Sequence, residues 1–274
     1  MNRRLKAYKI IGRTGWADAA TIIPWNSYLI YGDPKTIERQ YSSMVKWIDF
    51  MTQNSKDNLY IKEDHWGDWL FFSRDNDNSG QSAVTSKKLI AQAFYCYSTQ
   101  LLVKSAKVLG YYEDVKKYAD LYEKLIKAFN DEFVTKNGML VSDSQTAYVL
   151  ALQFKLLSEK NAKIAVERLI NNIEDYGHLT TGFLGTPFLC HVLSDNGKNE
   201  EAISALNNCN IIIEEYADSY SKNQNIKKES VKRSERINII DKEIESWKNL
   251  LIKSEKMVME LTDRKSKLIS QLEK

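Results

Sequence analysis

All 11 glycines and all 3 prolines of this chain fall between Gly12 and Gly197, and none follows. Folded segments use Gly and Pro as punctuation at turns and helix ends. The distribution therefore divides the chain into a punctuated body, 1–210, and an unpunctuated tail, 211–274. The tail holds 14 Lys/Arg and 12 Asp/Glu, far denser than the 27% charged residues of the whole chain. It also runs in heptads. Ile237, Ile240, Ile244, Trp247, Leu251, Ser254, Val258, Leu261, Lys265, Leu268 and Leu272 follow alternating steps of three and four, and only Ser254 and Lys265 are polar. This pattern predicts one long coiled-coil-like helix over 237–272, its stripe paired between chains as an oligomer or partner helix, or laid on the body.

Within the body the punctuation separates helices. A 3.6-residue stripe of Val115, Tyr118, Ala119, Tyr122, Leu125, Ile126 and Phe129 predicts a helix over 112–134. Ser86 to Leu109 reads as another, closed by Gly110. Further helices are expected at 19–31, 35–53, 143–157, 160–174, 183–194 and 199–209, with stops at Gly32-Asp33-Pro34, Asn137-Gly138 and Asp195-Asn196-Gly197. No strand-like alternation is sustained, so the fold class is all-α. About eight helices in antiparallel pairs point to a toroid or solenoid of hairpins, and no repeat aligns to support a tetratricopeptide array. Residues 56–85 break the rhythm with aromatic, acidic and turn residues, the character of a loop that carries function or disorder.

Composition excludes several classes. A formal charge of +3 over 274 residues argues against nucleic acid as a partner. No apolar run approaches the roughly 20 residues of a membrane helix. Met1-Asn2-Arg3-Arg4 is followed by no apolar core of a signal peptide. Cys96, Cys190 and Cys209 are sparse and odd in number, which fits free thiols and a cytoplasmic setting. No zinc or other metal site is expected, because the three histidines lack ligand spacing. Neither a GxSxG elbow nor a phosphate-binding loop is present, and no cofactor is expected.

Three stretches set aromatic, acidic and glycine residues off the helix interiors. They are Gly15-Trp16-Ala17-Asp18-Ala19-Ala20, His65-Trp66-Gly67-Asp68-Trp69-Leu70, and 177–187 from Gly177-His178 to Thr186-Pro187. A sugar site needs flat rings for the C–H face of the pyranose and carboxylates for its hydroxyls. A Trp within two positions of an Asp supplies both. The structural alternatives are plain: Asp18 as the cap of helix 19–31 with Trp16 as its staple, Trp66 and Trp69 as loop anchors, and His178 as a half-buried histidine. Asp143 reads first as an N-cap.

Taken in order, these stretches resemble glycoside hydrolase family 78, the inverting α-L-rhamnosidases of bacteria. The resemblance runs from about Gly15 to Ala202. It is carried by Gly15 to Trp25, Tyr31-Gly32-Asp33, Gln40-Tyr41 with Met44 and Trp47, Gly67-Asp68-Trp69-Leu70, Ser142 to Tyr148, and His178-Leu179-Thr180-Thr181-Gly182-Phe183. It implies an (α/α)6 barrel whose loops bind a rhamnose-containing glycoside at one end. Trp16 and Trp69 would contact the sugar ring, Asp18 and Asp68 would accept from its hydroxyls, and His178 would line the pocket. The family's general acid is a Glu in a DERLGW-type motif ahead of the Gly-Trp segment, and its base lies in a Trp-Glu-Arg-Trp-like stretch downstream. The 14 residues before Gly15 contain no Asp or Glu, and the charged tail stands where the second stretch would be. The expectation is a partial barrel of about eight of twelve helices without catalysis of its own. Two other readings stay open: a non-catalytic interaction protein, and a different six-hairpin glycosidase using Asp18 and Asp68 as its pair.

Overall fold

The computed structural model describes residues 12–71 and 84–208 and, beyond these, Lys242, Glu245 and Lys267. The chain divides into two compact units, Met1–Glu214 and Glu215–Lys274. Cys209, the middle of the 56–85 stretch and every seam position of 237–272 lie outside the described residues.

Among the described residues the first unit holds seven helices: α1 (Ala19–Tyr31), α2 (Lys35–Gln53), α3 (Lys87–Leu109), α4 (Tyr112–Phe133), α5 (Gln145–Gln153), α6 (Glu159–Tyr176) and α7 (Thr186–Asp195). Further helical turns follow at 199–208. Two isolated bridges, Lys56 with Leu59 and Val134 with Leu140, are the β-features described. No described helix is long and apolar enough to cross a membrane.

The helices pair as hairpins, α1 with α2, α3 with α4, and α5 with α6, while α1, α3, α5 and α7 touch one another in series. Composition explains the two roles. α2, α4 and α6 carry charges on one face and bury the other, as a surface helix does. The centre of α3, from Ile90 to Val103, has no charge, and 15 of its 23 residues are buried. A helix apolar all round must be covered all round, and α3 is covered by α1, α2, α4 and α5. α5 carries no charge at all and is likewise buried over Gln145–Ala151. α1 shares that composition yet buries only Thr21 and Pro24, leaving Ile23, Leu29 and Ile30 exposed.

Helix ends follow local chemistry. Ser86 Oγ accepts from Leu89 N–H at the start of α3, and Gly110 ends it with φ +73°. α5 is shorter than the 143–157 expected from sequence. Lys155 turns left-handed at φ +57°, and the Leu156 N–H reaches back to the Ala151 carbonyl, which buries Leu156. Its cap is Ser144, whose Oγ accepts from Ala147 N–H, and not Asp143. Asp143 instead accepts from Tyr148 Oη and from the Arg168 guanidinium on α6. α7 begins at Thr186 rather than 183, and Phe183 is thereby released to a loop.

Candidate functional site

The loops that enter α1, α3, α5 and α7 are laced to one another, so the N-terminal ends of these four helices share one site. Thr85 and Ser144 hydroxyls meet at 2.7 Å, and Ser86 N–H donates to Ser142 Oγ at 3.1 Å. Gln145, at the first position of α5, clamps the loop before α7. Its Nε2 donates to the His178 carbonyl and its Oε1 accepts from Thr180 N–H, at 3.0 and 2.9 Å.

Asp18 stands at the head of α1 but makes no side-chain cap bond to that helix. It is fully buried and accepts from Gly15 N–H (2.7 Å), Trp47 Nε1 (2.8 Å) and Ser98 Oγ (2.5 Å). The carboxylate thus pins the Gly15 turn to α2 and α3. Burial pushes its carboxyl up to about 6, against the pull of the Ser98, Trp47 and Gly15 bonds.

Asp68 is the second pin. Its carboxylate accepts from Thr146 Oγ1 on α5, Gly182 N–H (2.6 Å), Leu184 N–H (2.7 Å) and Gly185 N–H (3.2 Å). The neighbouring Trp69 carbonyl accepts from Phe183 N–H at 2.7 Å. Backbone meets backbone here: a Cβ on Gly182 would sit 2.5 Å from the Trp69 carbonyl oxygen and 2.6 Å from that of Asp68. With four donors on four lone-pair positions, Asp68 has no acceptor capacity left for a sugar hydroxyl, and Asp18 is closed to solvent.

The exposed surface above these pins is aromatic. Trp16, half-buried, has Phe183 stacked on it at 5.1 Å between ring centroids, and Trp66 and Trp69 edge-on at 5.1 and 6.0 Å. Trp66, Trp69 and Phe183 are 48%, 51% and 57% exposed, so three rings are presented to solvent around one anchored ring. The Arg13 guanidinium lies 4.2 Å over the Trp66 ring. His178 is 1% exposed, with Nδ1 2.8 Å from the Leu179 carbonyl and its ring against Tyr176. Its own carbonyl is the one that Gln145 holds. No group of three His, Cys, Asp or Glu side chains that could hold a metal gathers among the described residues.

Of the residues singled out from sequence, the structure brings Trp16 and Trp69 together and sets Asp18 and Asp68 beneath them as loop pins. Phe183, Gln145 and Thr146 stood within the motifs quoted from the sequence but were given no role there. Phe183 carried a signal, since an aromatic between Gly182 and Gly185 is poorly placed to start a helix. Gln145 and Thr146 read as ordinary first-turn residues, and only the fold shows their partners.

Comparison with known proteins agrees with the helical-hairpin fold. The model of the bacterial alpha-L-rhamnosidase 6 hairpin glycosidase domain matches residues 6–211. An alpha-L-rhamnosidase of Formosa agariphila is 41% identical over 188 residues, 68% of this chain and 20% of its own length. One from Alteromonas sp. is 39% identical over 68% of this chain and 21% of its own. The crystal structure of Streptomyces avermitilis alpha-L-rhamnosidase complexed with L-rhamnose superposes with a TM-score of 0.64 at 36% identity, covering 70% of this chain and 18% of that one. The chain spans about a fifth of the length of the curated relatives it matches. By its fold, its ordered loop motifs and these matches, the chain belongs to the bacterial alpha-L-rhamnosidase six-hairpin glycosidase family.

Proposed function

We propose that residues 12–208 are the rhamnose-binding part of an α-L-rhamnosidase domain, an incomplete (α/α)6 barrel that holds a terminal rhamnose of a glycoside without hydrolysing it alone. The observation that carries this is the ring cluster, three exposed aromatic side chains fixed around Trp16 by the Asp68 latch. Rings of this kind cover the C–H face of a sugar, and taking its apolar C–H groups out of water is worth about 1 kcal/mol per ring at roughly 25 cal/mol per Å². Trp69 and Trp16 are the ring contacts. Asp18 and Asp68 serve by holding the loops, and His178 supports the same loop.

The test is saturation-transfer NMR of L-rhamnose with the 274-residue chain. Saturable, selective transfer to rhamnose over D-glucose is expected, and Trp69→Ala weakens it about tenfold. Trp69 is half exposed, so the substitution leaves the core untouched. Absence of saturable binding, or an unchanged affinity in Trp69→Ala, would sink the reading.

A second reading, a helical protein that associates through its tail, draws on the heptad register. Lys242, Glu245 and Lys267 are helical and exposed, and all three fall between the seam positions. In this reading 237–272 pairs two chains. Light scattering of the full chain should then give a dimer or higher species that becomes monomeric in Ile240→Glu/Leu261→Glu. A monomeric parent chain removes the idea.

A further inference from the structure

His65 opens the turn that carries Trp66, Asp68 and Trp69, and it is only 4% exposed. Both of its ring nitrogens are occupied. Gly67 N–H donates to Nδ1 at 3.1 Å, and Nε2 stands 3.0 Å from the Lys87 carbonyl oxygen. A carbonyl only accepts, so these partners assign the neutral tautomer with its proton on Nε2. The ring thereby ties Gly67, left-handed at φ +69°, to the first residue of α3. The next residue is Asp68, whose latch on 182–185 holds Phe183 against Trp16.

We propose that neutral His65 is the positioning residue of the aromatic surface, and that protonating it unlatches the Trp66–Trp69 turn and weakens sugar binding. A proton on Nδ1 would face the Gly67 N–H donor to donor, so the turn must open or the proton must stay off. Burial is the largest influence on the ring and lowers its proton affinity below the ordinary histidine value of 6.5. Of the charged groups around it, Lys87 on α3 also opposes the proton, while Asp64 and Glu63 in its own segment favour it. The sign follows by linkage. The closed turn binds the proton less tightly than the open one, so closure is at full strength above 6.5 and is lost as the pH falls below it.

The sugar half of this proposal rests on the function proposed above, so the experiment has two arms. Near-ultraviolet circular dichroism of the full chain between pH 7.5 and 5 reads the tryptophan environment with no sugar present. The wild-type signal should fall reversibly with acid. His65→Asn should hold it flat, because an Asn side-chain oxygen accepts the N–H two residues on and does not titrate. His65→Ala should be low at every pH. Asp18 titrates beside Trp47 in all of these proteins, and the difference between wild type and His65→Asn removes its contribution. L-Rhamnose affinity followed in parallel should weaken about tenfold one pH unit below the midpoint, where about a tenth of the chains keep the turn closed, and stay level in His65→Asn. An identical acid response in wild type and His65→Asn, or a wild-type signal in His65→Ala, overturns the proposal. If rhamnose never binds while the dichroism behaves as stated, the functional reading fails and the positioning role of His65 stands.

Discussion

The purified 274-residue chain is expected to release no p-nitrophenol from p-nitrophenyl α-L-rhamnoside above a buffer blank, even on prolonged incubation. An inverting glycosidase needs two carboxyl groups about 6.5–9.5 Å apart, one to protonate the leaving oxygen and one to activate water on the opposite face. The resemblance puts them in a DERLGW-type and a Trp-Glu-Arg-Trp-like stretch, and neither motif occurs in these 274 residues. Asp18 and Asp68 do not fill the gap. The first is sealed from solvent by three donors, and the second is occupied by four. General acid and base assistance are each worth about 10²–10⁴-fold, so an intact relative run in parallel should be faster by roughly 10⁴–10⁸-fold. Clear turnover by this chain would mean that another pair of its carboxylates does the chemistry.

Asp68→Ala is expected to be the most damaging single loop substitution. It strands the Thr146 hydroxyl and the Gly182, Leu184 and Gly185 N–H groups, all at a place where the backbone is too close-packed to rearrange. Unsatisfied buried groups cost about 1–3 kcal/mol each, and partial access of water moderates the sum. A loss of about 3 kcal/mol follows, or a fall in melting temperature of roughly 6–12 °C for a domain of this size. Differential scanning calorimetry reads it, with Glu132→Ala, an exposed carboxylate on α4, as the control expected to stay within about 0.5 kcal/mol. A melting point for Asp68→Ala within 2 °C or so of wild type would show that the latch is ornamental.

The hairpins were legible in the sequence because each is a local event. Gly32 and Gly110 end α1 and α3 in the left-handed conformation that only Gly adopts freely, and the stripe of α4 keeps its period from Val115 to Phe129. α5 was overextended because Lys155 carries no turn signature. Its left-handed backbone is stabilised by burial of Leu156, which is a tertiary matter. The ring-bearing residues Trp16 and Trp69 stood out by type and spacing. The roles of the two aspartates did not, because an Asp that pins a loop and an Asp that accepts from a sugar look alike until the donors around them are known. Trp47 and Ser98 reach Asp18 from two other helices, and Gln145 and Thr146 act on loops more than thirty residues away.

The Asp68 bonds join residues 114, 116 and 117 apart in the chain, whereas each hairpin packs neighbours in sequence. On a ribosome the helices of the first three hairpins have emerged before residue 185 does, so the scaffold has time to form while the latch has nothing to close on. Local helical contacts also form fastest in a free chain. The latch is therefore expected to close after the first three hairpins have formed, and to be absent from the folding transition state. The stability lost in Asp68→Ala should appear as unfolding accelerated about 100-fold with refolding nearly unchanged. Stopped-flow kinetics would show the reverse partition if the latch were instead part of the nucleus.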